Sequence, residues 1–395
     1  MKHINFNGQK VLIRVDFNVP LNDQFEVTDN TRIEKAIPTL KYILENGGTL
    51  IVCTHLGRPK PGNDNSAYST RHIVKEFSKL LEKEVEFIDD CIGEKVKSKV
   101  ELLAQGTILL LENTRFYKEE TDGNESFAES LADLADVYIN DAFGTAHRAH
   151  ASTTTVAKYF DRDHKGFGFL MDAEVSNGKK VLTESQSPFT AIIGGAKVSD
   201  KIQLLQNLVL KANNILIGGG MAYTFISAKG GNIGKSLCEN EFLTLAIEIL
   251  DQANEKGCNI FLPSDSTIAS AFSANAESKT APSDEIDEGW MGLDIGPDAI
   301  KDYCEVIKNS KTIIWNGPMG VFEFEKFSFG TFSIAHAVAE ATSNGAFSLI
   351  GGGDSVAAIN YAKLEDKVSY VSTGGGAMLE MLEGKILPGV AAIEL

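Results

Sequence analysis

All seven arginines of this 395-residue chain, at positions 14, 32, 58, 71, 115, 148 and 162, lie in its first 162 residues, and six of its seven histidines lie in the first 164. The chain carries a net charge of −17, so a half that keeps every guanidinium gathers positive field against the trend of the whole. Arginine presents a planar fork of donors that matches carboxylate and phosphate oxygens. Most of these residues follow short apolar runs. "VLIRVDFNVP" delivers Arg14, Asp16 and Asn18 to one face, and "TLIVCTHLGRP" delivers His55 and Arg58. "TILLLENTRF" delivers Glu112, Asn113 and Arg115, and "DVYINDAFGTAHRAHAS" delivers Asn140, Asp141, His147, Arg148 and His150. Arg32 falls in the first turn of a predicted helix, after "TDNT", where a cation opposes the helix dipole unless an anion lies between them. A single loop arginine is ordinarily solvated or salt-bridged. Four strand ends and a helix start carrying Arg or His together predict a site for a small ligand with more than one negative charge. His147 and His150 are one helical turn apart, but Arg148 lies between them and no cysteine or acidic cluster is near, which disfavours zinc.

The second half offers glycines instead. Residues 192–201 read "IIGGAKVSDK", a strand running into glycines and two lysines, Lys197 and Lys201. The spacing is not that of a Walker loop, G-x-x-x-x-G-K-[ST]. "LIGGGMAYTF", "LIGGGDSVAA" and "VSTGGGAMLE" repeat the strand-to-glycine pattern. Glycine lets a backbone approach a ligand closely, and a following helix adds free N–H groups that favour phosphate. One such turn is unremarkable; four predict a surface shaped around a nucleotide. G-x-G-x-x-G is absent, which counts against a dinucleotide-dependent dehydrogenase. Asp354, directly after three glycines, is the candidate Mg²⁺ ligand, for a metal held mostly by phosphate oxygens and water. Asn316 and Glu323 in "TIIWNGPMGVFE" are polar groups able to fix a ribose, while Trp315 reads as core.

These residues must be carried by β-α units: short apolar runs alternate with amphipathic stretches along the whole chain, the pattern of parallel sheets flanked by helices. In the first half the strands are "VLIRVDF", "TLIVCT", "VEFI", "TILLL" and "DVYIN"; in the second, "FTAII", "NILI", "NIFL", "TIIW", "FSLI" and "VSYV". "KIQLLQNLVLKA" puts Ile202, Leu205, Leu208 and Val209 on one helical stripe, and Pro38 is expected to kink its helix or loosen its first turns. "FLMDAEVSNGKKVLTESQSP" suits a helix joining two domains, so the division is a first domain over residues 1–168, a connecting helix over 169–185 and a second domain over 186–382. The negative balance argues against nucleic-acid or anionic-membrane partners. Five scattered cysteines, with no C-x-x-C pair, read as reduced thiols of a cytoplasmic protein, and the N-terminal residues do not resemble an export signal.

Taken together, "RVDFNVP", "HLGRP", "ENTRF", "NDAFGTAHRAHAS", "GGAKVSDK", "GGGMAYTF", "WNGPMGVFE", "GGGDS" and "STGGGAMLEMLEG" stand in the order of the phosphoglycerate kinase family, which the chain resembles along essentially its whole length. The resemblance implies two Rossmann-like α/β domains joined by a helix and hinge, with the tail, residues 383–395, packed back on the first domain. It implies a monomer that moves the acyl phosphate of 1,3-bisphosphoglycerate to MgADP, giving 3-phosphoglycerate and MgATP. By motif position Asp16, Phe17, Asn18, Arg32, His55, Leu56, Gly57, Arg58, Arg115 and Arg148 would bind the glycerate. Lys201, Gly218, Gly292, Asn316, Glu323, Gly351, Gly352, Gly353, Asp354 and Ser355 would bind the nucleotide. Arg32, Lys197, Lys201 and the amides of Gly374, Gly375 and Gly376 would meet the group in transfer. One departure stands out: "LPSDSTIAS" has Ser264, Ser266 and Thr267 where the family is usually apolar, which leaves Asp265 in place and puts the local packing in question.

Overall fold

The computed structural model describes residues 1–60 and 65–394. It divides into two compact units, residues 1–176 with the segment from Ile386 onward, and residues 177–385. The division falls inside helix Phe169–Thr183, the segment expected to connect the halves, and the tail joins the first unit from residue 386 rather than 383.

In the first unit β1 (Lys10–Val15), β2 (Thr49–Cys53), β3 (Glu86–Phe87), β4 (Ile108–Leu110), β5 (Val137–Asp141) and β6 (Lys165–Phe167) form one sheet. Their order is β3-β4-β2-β1-β5-β6 and every pairing is parallel. Alternate residues of β1 enter two different cores. Val11, Ile13 and Val15 pack with Ile33, Leu40 and Ile43 of helix Thr31–Glu45, and Leu12 packs with Val96 and Leu131. Both faces are therefore covered, which is why the strands read as unbroken apolar runs. The helix expected to kink or loosen at Pro38 runs without a break from Thr31 to Glu45, with its buried stripe present on both sides of the proline. The tail is tied down by hydrogen bonds from Gly389 N–H to the Ala146 carbonyl (2.8 Å) and from Lys165 Nζ to the Ala392 carbonyl (2.9 Å).

The second unit holds β7 (Phe189–Ile193), β8 (Asn214–Ile217), β9 (Asn232–Ile233), β10 (Asn259–Phe261), β11 (Asp265–Ala269), β12 (Ser278–Pro282), β13 (Glu285–Ile286), β14 (Met291–Ile295), β15 (Thr312–Asn316), β16 (Phe347–Ile350) and β17 (Tyr370–Val371). The main sheet has the order β10-β8-β7-β15-β16-β17 and is again all parallel. Trp315 is fully buried in its core and donates Nε1–H to the Gly317 carbonyl at 2.8 Å. Helix Ile202–Val209 buries Leu204, Leu205, Leu208 and Val209, so the stripe takes in Leu204 and leaves Ile202 half-exposed. Beside the main sheet β11, β12 and β14 form a small antiparallel sheet, and β9 pairs with β13; neither stood out in the sequence.

The serine-rich departure lies in β11. Asp265 accepts hydrogen bonds from Ala299 N–H (2.8 Å) and Asp298 N–H (3.3 Å), satisfying the start of helix Pro297–Lys308. Ser266 is fully buried and receives the Tyr223 hydroxyl at 2.8 Å, while its own oxygen lies 2.7 Å from Ser283 Oγ. Polar side chains replace apolar packing here by pairing with one another.

Candidate functional site

Each main sheet reverses its strand order at the centre, between β1 and β5 in the first unit and between β7 and β15 in the second. Loops leaving the carboxyl ends of such a pair diverge, which opens a crevice for a ligand.

In the first unit cationic side chains gather at this end of the sheet. Arg14, from β1, is fully buried; it donates Nε–H to Ser152 Oγ (2.8 Å), a second N–H to the Val15 carbonyl, and its NH2 lies 3.2 Å from His55 Nδ1. A guanidinium has no acceptor, so His55 Nδ1 must accept, and the ring is the neutral tautomer carrying its proton on Nε2. Burial, with Arg14, Arg115, Arg32 and His150 nearby, holds the His55 pKa well below its ordinary value. Burial also lowers Arg115, to about 10, with Arg14 and Arg148 adding repulsion. His150 falls to about 4 through burial and the fields of Arg115, Arg14 and Arg148. Burial and the field of the guanidinium groups keep both imidazoles neutral, and an anion placed among these groups would relieve that field.

The remaining predicted residues hold this arrangement. Asn18 Oδ1 accepts Gly57 N–H at 2.7 Å, and Arg115 NH1 donates to the Gly57 carbonyl at 2.9 Å. Asn113 fastens the same loop by donating to the Leu56 carbonyl at 2.7 Å. Phe17 and Leu56 are buried, and Arg58 and Arg148 are exposed. Arg32 bonds both Asp16 oxygens, at 3.2 and 3.1 Å, so the anion beside that helix start is the Asp16 carboxylate. Two arginines stand apart: Arg71 lies over the Phe87 ring, and Arg162 is exposed in a turn. Glu112, Asn140 and Asp141 bond within the protein. Asp141 Oδ1 accepts Met171 N–H at 3.0 Å near the start of helix Phe169–Thr183, and burial raises its pKa to about 7.

In the second unit a cavity of about 420 Å³ is lined by glycine backbone and apolar side chains. Gly292, Glu323 and Asp354, three of the residues expected to bind the nucleotide, line it. Gly218 does not: it is buried against Met319, where a Cβ would come 2.4 Å from the sulfur, and the next two glycines, Gly219 and Gly220, line the cavity instead. Leu237, Phe272, Leu293, Pro318 and Val321 supply walls that sequence reasoning missed. Of these only Pro318 and Val321 stood inside a quoted motif; Leu237 and Phe272 sit in loops that carry no pattern. Phe272 is 63% exposed, a large ring held open to solvent at a cavity, which suits a flat apolar ligand.

Around this cavity Lys201 is half-buried and donates to Asn316 Oδ1, while Asn316 Nδ2 donates to the Gly351 carbonyl at 3.0 Å. Both ends of the Asn316 amide are thus spent on holding Lys201 beside the glycine turn. Burial lowers the Lys201 pKa, opposed by Asp200, Asp354 and Glu383. Lys197 is exposed on the same loop, which Ser199 anchors through Glu239 at 2.7 Å. Ser355 is buried and accepts Gly317 N–H, and Gly352 has φ +90° at the start of helix Gly353–Tyr361. Gly374 N–H is taken by Ser372 Oγ at 3.1 Å, which narrows the predicted donors of that turn to Gly375 and Gly376. The donor set fits a magnesium ion that arrives on phosphate: Asp354 is an exposed carboxylate beside glycine amides, and among the described residues no three His, Cys, Asp or Glu gather to hold an ion unaided.

Two parallel-sheet units, one lined with guanidinium groups and one with glycine turns, define an α/β protein that handles phosphate. Comparison with known proteins narrows the class. A sequence profile described as "Phosphoglycerate kinase" matches residues 1–385. Phosphoglycerate kinase from Porphyromonas gingivalis is 50% identical, covering 100% of this chain and 99% of its own, and the cytosolic enzyme of Nicotiana tabacum is 50% identical, covering 100% and 97%. The solved phosphoglycerate kinase of Coxiella burnetii superposes with a TM-score of 0.92 at 40% identity, covering 100% of this chain and 98% of that one. That of Pyrococcus horikoshii gives 0.83 at 30%, with the same coverage. The chain belongs to the phosphoglycerate kinase family and is an enzyme of the kinase class.

Proposed function

We propose that the chain reversibly transfers the acyl phosphate of 1,3-bisphosphoglycerate to ADP, giving 3-phosphoglycerate and ATP. The first unit holds the glycerate and the second the nucleotide. The observation that carries this reading is the gathering of Arg14, Arg115, His55 and His150 at the carboxyl end of the first sheet, where burial first and the arginines' field second depress the basicity of Arg115 and both histidines, as suits a place kept for an anion. The family supplies the particular anion.

The acceptor in the ATP-consuming direction is a carboxylate with an ordinary pKa of about 4, ionised at neutral pH, so the reaction needs no general base. Transfer demands alignment and charge stabilisation instead. Arg32 leaves Asp16 to meet the group in transfer; Lys197, Lys201 and the Gly375 and Gly376 amides meet it from the nucleotide side. Asp354 would hold the magnesium ion, which would neutralise charge on the nucleotide's phosphates. Glu323 faces the ribose and the apolar walls around Phe272 take the base. Hinge closure excludes water, because an acyl phosphate open to solvent would hydrolyse. The chain works as a monomer in the cytoplasm, in line with its cytosolic relatives. A coupled assay for ATP formation from ADP and 1,3-bisphosphoglycerate tests the reading directly; no ATP formed by folded protein would overturn it.

A further inference from the structure

The serine substitutions of β11 do more than fill space, because they end on the wall of the nucleotide cavity. Helix Met221–Ala228 begins directly after Gly219 and Gly220, which line that cavity. One turn into the helix, Tyr223 is buried and aims its hydroxyl at Gly292, on the opposite wall. The contact is so close that a Cβ built on Gly292 would lie 1.7 Å from the Tyr223 oxygen. Gly292 belongs to β14, whose pairing with β11 shifts register between Thr267 and Ile268. Thr267 faces Asp294 and Ile268 faces Gly292, so Leu293 is the extra residue of a bulge, and Leu293 also lines the cavity. Bulges re-aim side chains beside functional sites, but they leave the ladder locally unpaired and in need of other support. Here Ser236 Oγ accepts Gly292 N–H at 2.9 Å from one side. From the other, the Tyr223 hydroxyl abuts Gly292 and is fixed by donating to Ser266 Oγ, which in turn shares a hydrogen bond of 2.7 Å with Ser283 Oγ.

We propose that Tyr223 is a positioning residue for the nucleotide, its hydroxyl braced by Ser266 and Ser283 so that the two facing walls, Gly219–Gly220 and Met291–Leu293, keep a fixed separation. The brace touches no ligand. It acts through the backbone it presses on, and it rests on the reading that this cavity takes the nucleotide.

The test measures steady-state constants of the whole chain for Tyr223→Phe, Ser266→Ala, the double variant and Ser283→Ala. Tyr223→Phe raises KM for ADP and ATP about three- to tenfold, the range of one buried hydrogen bond, and leaves KM for 3-phosphoglycerate within about twofold. Ser266→Ala strands the tyrosine hydroxyl and raises nucleotide KM as well. Combining the two gives less than the product of the single effects, because they break one connection. Ser283→Ala shifts nucleotide KM in the same direction by less, and carries the test should Tyr223→Phe fail to fold. Equal changes in both substrates' KM, or an unchanged nucleotide KM with a lowered Tm, would reduce the network to ordinary packing and overturn the proposal. Multiplicative effects of the two single variants would do the same. If the wild-type chain forms no ATP, the functional reading fails first; if it is active and the variants match it, only the brace is wrong.

Discussion

The two units place their sites at the same topological position and build them from opposite materials. At the β1/β5 reversal long cationic side chains gather, the buried Arg14 held by Ser152 and the Leu56–Gly57 loop by Asn113 and Arg115. At the β7/β15 reversal they are glycine backbones and apolar walls, with Lys201 pinned by Asn316. The difference suits the two ligands proposed. A small, densely charged anion offers little surface, so affinity has to come from charge and directed donors. A nucleotide offers a flat base and a phosphate chain, so one end is gripped by apolar area and the other by amides. A shared parallel sheet serves both because the crevice belongs to the topology and the chemistry to the loops.

The sharpest way to break this contrast is at Arg32, the cation that the proposed mechanism draws from the first unit. Arg32→Ala is expected to lower kcat by about 10²- to 10³-fold, the scale of removing one donor to developing charge. Nucleotide Kd should stay within about twofold, since its walls are in the other unit. Normal turnover in this variant would leave Arg32 only its pairing with Asp16. Next in size is Asp354→Asn, which tests whether the second unit needs any side-chain charge at all. MgADP should bind about tenfold more weakly while ADP without magnesium binds as before. Equal losses with and without magnesium would remove the metal assignment.

How much of this was legible in the sequence differs between the units for the same physical reason. Side-chain chemistry announces itself: the arginines and histidines at strand ends, Arg115 and His55 among them, point to an anion in the first half because residue type is the signal. Arg14 entered the reading only as one of the strand-end cations, and its part shows in the fold alone: it is fully buried and sets the His55 tautomer. The second site is made largely of backbone and loop apolar groups. Its glycine turns were visible, but choosing Gly218 over Gly219 and Gly220 depended on which residue Met319 covers, a tertiary fact. Leu237 and Phe272 carried no periodicity, and the small β11-β12-β14 sheet alternates too weakly to show. Ser266 looked like a packing defect because its partners, Tyr223 and Ser283, are 43 and 17 residues away.

Ionic strength separates the materials more gently. Between roughly 0.02 and 0.3 M salt the KM for 3-phosphoglycerate should rise several-fold, and that for nucleotide less, since screening weakens exposed charge and leaves apolar contact alone. Parallel slopes would mean that both sites depend on side-chain charge alike.

The smallest expected effect is also the most specific to the cationic cluster. His150 has a pKa of about 4, against an ordinary value of 6.5, because it is buried among arginines. In the free chain the unfolded state therefore takes up the proton first. The His150 contribution to stability is complete above about pH 6.5 and is lost as pH falls towards about 4. Asp294, raised by burial to about 8, works in the opposite direction, its contribution being lost as pH rises through that value. Stability alone thus mixes the two units, and ligand binding isolates one. A sulfate ion stays doubly charged from pH 5 to 7, and in the cluster it offsets the arginines and raises the His150 pKa. Protonation then favours the complex, so sulfate affinity should increase by roughly two- to threefold between pH 7 and pH 5, with proton uptake seen by calorimetry in buffers of different ionisation enthalpy. His150→Gln should flatten that profile while ADP affinity keeps its own. If the wild-type profile is already flat, the repulsion inferred among Arg14, Arg115, Arg148 and His150 is too weak to define an anion site.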